Sequence, residues 1–285
     1  MPPEPDYHTA VAMLAWQQEL GATDLGSDAP VNRFELPEAV PVVQTRVAHV
    51  AQVAPAPVPA EAVPPPQRAS ARPAPVAAAI AGPDAVAQAA AVAARATSLA
   101  QLRAAIESFD LCVIKRGARS TVFADGNPAA RVMVIGEAPG RDEDAEGLPF
   151  VGRAGQLLDR MFAAIGLGRI SPDPARALYI TNVMPWRPPQ NRDPLPEEIA
   201  MMQPFLARHV ELAAPELLVV MGNIACQAVL GQRGVTRLRG TWAEAYGRPV
   251  LAMVHPAYLL RNPAAKRETW ADLLALQARL RIRGS

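Results

Sequence analysis

Three residues able to do proton-transfer or hydrogen-bonding chemistry stand where short apolar runs end. VMVIG leads into Glu137-Ala138-Pro139-Gly140, LYIT into Asn182 and VLAMV into His255-Pro256, while a fourth run, LLVVM, leads into Gly222-Asn223. A carboxylate can activate water, an imidazole can give or take a proton, and a carboxamide both donates and accepts. A pocket that collects all three is the expectation from pattern alone. Other chemistries lack their fingerprints: there is no G-x-G-x-x-G, no G-x-x-x-x-G-K-[ST] and no G-x-S-x-G, which removes the usual dinucleotide site, the P-loop and the nucleophile elbow. The four histidines fall at no standard zinc spacing. The expectation is a carboxylate and histidine pocket without a metal.

Positioning these residues requires elements that end at one place. Val132 to Ile135, Leu178 to Ile180, Leu217 to Met221 and Val250 to Val254 read as buried strands, and Ala154 to Ile165, Glu197 to Leu212, Ile224 to Leu230 and Glu268 to Leu280 as the helices between them. Such alternation predicts an α/β domain with a mainly parallel sheet. Ligands of open parallel sheets bind beyond the carboxyl ends of the strands, so the four turns should converge on one crevice.

The chain has 285 residues, half of them apolar, and 30 prolines, too many for a chain folded throughout. Residues 1–27 contain a short amphipathic stretch, YHTAVAMLAWQQEL, that reads as a docking helix for an unknown protein partner. Residues 28–83, rich in Ala, Pro and Val, read as a disordered, partly polyproline tether. Residues 84–285 are expected to form the folded domain that carries these turns. No apolar run is long enough to cross a bilayer, and the first residues lack the parts of a signal peptide. The two cysteines, Cys112 and Cys226, match no redox or disulfide framework, so the expected location is a reducing cytoplasm. The net charge is +1, which argues against coating nucleic acid by bulk charge and leaves room for a local arginine-rich, phosphate-binding face. Arginine in place of nearly all lysine, with abundant Ala and Pro, fits a bacterial genome of high GC content.

The stretches GEAPGRDEDAEGLPFVGRAGQLLD, YITNVMPWRPPQNRDPLPEEI and HPAYLLRNP resemble, in order and spacing, the motifs of the family 4 uracil-DNA glycosylases, over residues 105 to 282. The resemblance implies a three-layer α/β/α fold around a mainly parallel four-stranded sheet, and removal of uracil from single- or double-stranded DNA by a monomer that is nucleoid-associated when bound. It implies that Gly136, Ala138 and the turn to Gly140 wall a uracil pocket. Phe150 would stack on the base and Asn182 would read the O4 and N3–H edge. Glu137 and Glu143 would position water and offset charge on the sugar, and His255 would stabilise the uracil anion. Tyr258, Leu259 or Leu260 and Arg261 would fill the gap left by the flipped base and meet a phosphate, with Arg187, Asn191, Arg192 and Arg239 as backbone contacts. Taken singly, each has a plainer reading: residues 141–146 as a solvated acidic loop, Phe150 and the leucines as core, Asn182 as a turn former, His255 as structural.

The family holds a four-iron, four-sulfur cluster on four cysteines. At the matching positions this chain has Phe109, Cys112, Trp186 and Met202, and one thiolate cannot replace four. The expectation is a cluster-free domain with an apolar plug at those positions. Only Lys115 and Lys266 exist in the chain, neither in the motifs, which argues against a Schiff-base lyase step. Two other functions fit parts of the pattern: a module that binds uracil or abasic DNA without turnover, and a hydrolase of free nucleosides, which would not need HPAYLLRNP. Acceptance of other deaminated bases stays open.

Overall fold

A computed structural model describes residues 83–282 of the chain; the docking helix and tether expected before residue 83 lie outside the described residues. The four anticipated strands form as β2 (Val132–Gly136), β3 (Leu178–Asn182), β4 (Leu217–Met221) and β6 (Arg248–Met253). They pair in parallel in the order β3-β2-β4-β6. Two short antiparallel strands extend this set at its edges, making six: β1 (Ala124–Gly126) beside β3 and β5 (Trp242–Ala245) beside β6. Sequence pattern misses both because they are three and four residues long and half-exposed, so they carry no apolar run.

Strand residues alternate between two apolar layers, as the two-residue side-chain period requires. Val132 and Val134 join Leu178, Ile180, Leu217 and Val219 on one face, under α4 (Arg153–Ala163) and α9 (Lys266–Ile282). Met133 and Ile135 join Tyr179, Leu218 and Val220 on the other, under α1 (Pro83–Arg95), α2 (Leu99–Glu107), α5 (Pro196–Ala213) and α6 (Asn223–Leu230). Burial on both faces explains why all five residues of β2, β3 and β4 are buried. The short helices α3 (Arg141–Glu146), α7 (Val235–Leu238) and α8 (Pro256–Arg261) lie in connections. Residues 141–146 are therefore helix, with Gly140 ahead of them and Gly147 ending them in a left-handed conformation (φ 75°). No helix among the described residues is long and apolar enough to cross a membrane.

The chain leaves β2 toward β3 on one side, and β4 toward β6 on the other. The neighbouring strands β2 and β4 thus form the point where strand order reverses, which opens a crevice at their carboxyl ends.

Candidate active site

Gly136 ends β2 directly opposite Asn182 at the end of β3, so the register alone sets the glycine beside the carboxamide. A Cβ on Gly136 would collide with Asn182 Oδ1 and with the ring of Phe150. The glycine is therefore needed for space, and its absence of side chain lets three groups share one floor. Asn182 is 7% exposed, yet its Oδ1 is the one buried side-chain polar atom among the described residues without a hydrogen-bond partner. Burying a carbonyl without a donor costs about 1–3 kcal/mol, a cost that a water or a ligand bearing a donor removes.

Phe150 is 5% exposed, and its ring stacks against the His255 imidazole with centroids 5.4 Å apart and planes at 26°. His255 caps α8: its Nδ1 accepts the backbone N–H of Ala257 at 3.2 Å. A ring nitrogen that accepts cannot carry the proton, so the neutral imidazole holds it on Nε2. Burial pushes the His255 pKa down to about 4, the Arg261 charge lowers it further and Glu143 opposes them. The residue is a neutral donor at physiological pH. Gly222, at the end of β4, adopts φ 91°, and a Cβ there would stand 3.4 Å from that of His255; the left-handed turn brings the β4 end under the imidazole.

Glu137 is half-buried at the first position after β2. Burial raises its pKa to about 7, the Asp193 charge raises it further and Arg233 pulls it back. A carboxylate poised near neutrality suits a base that takes a proton from water. Ala138 follows it, also half-buried, and packs on the apolar layer beneath.

Glu143 is tied into the backbone around the site. Its Oε2 accepts from Gly140 N at 3.1 Å, and its Oε1 from Val151 N at 3.1 Å and Gly152 N at 3.0 Å. Those bonds use the carboxylate to tie the 137–140 turn to the turn after Phe150, and the Glu143 charge raises the His255 pKa against the burial that lowers it.

The expected DNA-contacting residues divide in the same way. Tyr258 and Leu260 are 37% and 40% exposed, and Arg261 is exposed beside them. Leu259 is 1% exposed and packs in the core from the inner face of α8, whereas Leu260 stands outward. Arg239 binds both oxygens of Asp272 with its Nε and Nη2 at 2.9 and 2.7 Å, and Asp272 is 1% exposed, so the guanidinium neutralises a buried carboxylate. Arg192 forks onto both oxygens of the buried Glu198 at 2.8 and 2.6 Å. It anchors the RPPQNR segment to the start of α5, with its charge already matched. Arg187, half-buried, donates its Nε to Oδ1 of the exposed Asn191 at 2.8 Å. One residue that sequence pattern passed over is Arg169, in the connection from α4 to β3. It donates to both carbonyls of the Pro149-Phe150 turn, and nothing in its local sequence distinguishes it from other surface arginines.

The residues at the cluster positions do not fit a four-iron, four-sulfur group. Phe109, Cys112, Trp186 and Met202 are 6%, 0%, 1% and 1% exposed and belong to one apolar layer. Phe109 sets its edge on Phe205 with centroids 5.1 Å apart, and Trp186 Nε1 donates to Thr121 Oγ1 at 3.0 Å. Burial pushes the Cys112 thiol up to about 11, which keeps it protonated and a poor ligand. No group of three or more His, Cys, Asp or Glu among the described residues is arranged to hold a metal ion.

Residues 123–274 match the model of the Uracil DNA glycosylase superfamily. The chain is 39% identical over 170 residues to a Type-4 uracil-DNA glycosylase of Archaeoglobus fulgidus, covering 56% of this chain and 82% of that protein. It is 36% identical over 156 residues to one of Thermotoga maritima, covering 53% and 77%. A third, from Pyrobaculum aerophilum, is 34% identical over 184 residues, covering 61% and 91%.

Proposed function

The chain belongs to the uracil DNA glycosylase superfamily, and on that premise we propose how its own residues carry out the reaction. It is a uracil-DNA glycosylase: it hydrolyses the N-glycosidic bond of deoxyuridine in DNA, leaving free uracil and an abasic site, the first step of base excision repair. The observation that carries the assignment of the pocket is the buried, unpartnered Oδ1 of Asn182. Uracil offers a donor at N3–H beside an acceptor at O4, and one carboxamide satisfies both with Oδ1 and Nδ2. Cytosine offers an acceptor at N3 and a donor at its amino group and leaves the same carboxamide mismatched.

The base must leave the stack to reach this floor. Phe150 takes one face of it and Gly136 leaves room for its edge. Breaking the bond places negative charge on uracil O2, and the neutral His255 donates from Nε2 to that oxygen, an interaction stronger in the transition state than before it. Glu137, as the carboxylate, takes the proton of the water that adds to the sugar, so the product is an abasic site rather than an enzyme-linked aldehyde. Leu260, with Tyr258 beside it, fills the gap in the stack, and Arg261, Arg187 and Asn191 hold phosphates without reading sequence.

The reading includes a domain that works without an iron-sulfur cluster, the plug around Trp186 filling its place, and a monomer acting in the bacterial cytoplasm, at the nucleoid when bound. A protein partner would be met by residues 7–20. The test is incubation of the protein with a labelled oligonucleotide holding one uracil, then alkali to cut abasic sites. Cleavage that His255→Ala reduces by on the order of a hundredfold or more supports the reading; binding of the oligonucleotide without any abasic product overturns it in favour of a recognition module.

A further inference from the structure

Phe150 holds a backbone φ of 55°, a left-handed conformation that a bulky residue rarely adopts and that persists only where surrounding contacts over-determine it. Those contacts are unusually complete. The Phe150 carbonyl accepts from Arg169 Nη2 and the Pro149 carbonyl from Arg169 Nη1, both at 2.9 Å. The N–H on the other edge of the same Phe150–Val151 peptide donates to Glu143 at 3.1 Å. The Arg169 side chain is 11% exposed and is itself fixed at 2.9 Å by Asp125 of β1 and by Asp159 of α4. From below, Gly155 lets the first turn of α4 rise to the Phe150 carbonyl, where any Cβ would collide.

We propose that Arg169 is a positioning residue for base recognition: its planar fork locks the Pro149-Phe150 turn, and so sets the Phe150 ring over the uracil floor. The inference rests on the glycosylase reading. A guanidinium suits the task because two carbonyls and two carboxylates converge on it from different directions, and five donors in one rigid plane can meet them together. A lysine ammonium in the same place holds charge but only as a point, and cannot hold both carbonyls and both carboxylates. Arg169 bonds the backbone of the Pro149-Phe150 turn, so its effect on catalysis passes through Phe150.

The experiment is a double-mutant cycle of Arg169→Lys and Phe150→Ala in the full chain, read by kcat/KM on a uracil oligonucleotide and by inhibition with free uracil. Asp159→Asn is the control, since it loses an ion pair to the same guanidinium and leaves both carbonyl bonds. The expected result is a fall of roughly ten- to a hundredfold in kcat/KM for Arg169→Lys, with a matching rise in the uracil inhibition constant, and a change under threefold for Asp159→Asn. In the Phe150→Ala background Arg169→Lys then adds less than threefold. Equal losses in both backgrounds, or a lower melting temperature with activity and uracil inhibition unchanged, overturn the inference and leave Arg169 as an ordinary structural ion pair. If Arg169→Lys does not fold, Arg169→Gln, which keeps a donor for one carbonyl, is read by the same cycle with the same criteria. Lack of abasic product from the parent protein overturns the glycosylase reading and this inference together, whereas an active parent with uncoupled variants overturns this inference alone.

Discussion

The strand-end pocket and the plug around Trp186 sit in one domain and differ in how their polar groups are settled. In the pocket, a buried acceptor on Asn182 has no partner, an imidazole is held neutral with its pKa pushed down to about 4, and a carboxylate is held near neutrality. In the plug, the one indole N–H has its hydroxyl at 3.0 Å, the thiol is protonated, and the remaining surface is aromatic or thioether packing. The first region keeps free energy in reserve for a ligand; the second has spent all of it on the fold. Substitutions should therefore cut activity in the first and stability in the second.

The largest effect that would break this contrast is at Gly136. Gly136→Ala drives a methyl into Asn182 and Phe150, so uracil release is expected to fall at least a hundredfold while the melting temperature changes by a few degrees. Trp186→Ala should do the reverse: emptying a fully buried indole costs about 3–5 kcal/mol, seen as a large drop in thermal stability, with the kcat/KM of the folded fraction nearly unchanged. If Trp186→Ala lost activity at unchanged stability, or if anaerobically purified protein held stoichiometric iron, the plug would be a functional centre and the contrast would fail.

Acidity separates the regions next. In the proposed mechanism Glu137 acts as a carboxylate, so with its pKa raised to about 7 the rate should rise with pH through neutrality and level off above it. His255, lowered to about 4, stays neutral over that range and contributes no second limb until the medium is far more acidic. Glu137→Gln should remove the limb near 7 along with most of the rate; a limb that survives the substitution assigns it to another group.

Much of this was legible from residue order because the strands are buried on both faces and read as unbroken apolar runs, and because Gly136, Asn182 and His255 follow them directly. Neighbouring strands in register then bring those residues together with no further information. What pattern could not supply depends on side-chain partners far along the chain. Arg239 reads from its neighbours as a phosphate contact, and its partner Asp272 stands 33 positions later in the chain. Glu143 looked like a free acid in an acidic run, and its partners are backbone N–H groups of the next turn. Arg169 gave no signal at all, since four acceptors from three segments make it what it is.

Leu259 and Leu260 give the finest version of the comparison, because they are adjacent in sequence and face opposite ways on α8. Leu259, at 1% exposure, belongs to the fold, and Leu259→Ala should cost about 2–5 kcal/mol of stability. Leu260, at 40%, loses little stability when cut to alanine, because its side chain is already wet. On duplex DNA, however, a wedge fills the space of the flipped nucleotide and opposes its return. A single strand has no stack to refill, so Leu260→Ala should lower kcat/KM on a duplex uracil substrate severalfold and leave the single-stranded value within twofold. Equal losses on both substrates would mean that Leu260 contacts the base or sugar itself, and that the boundary between pocket and wedge lies one residue nearer to His255.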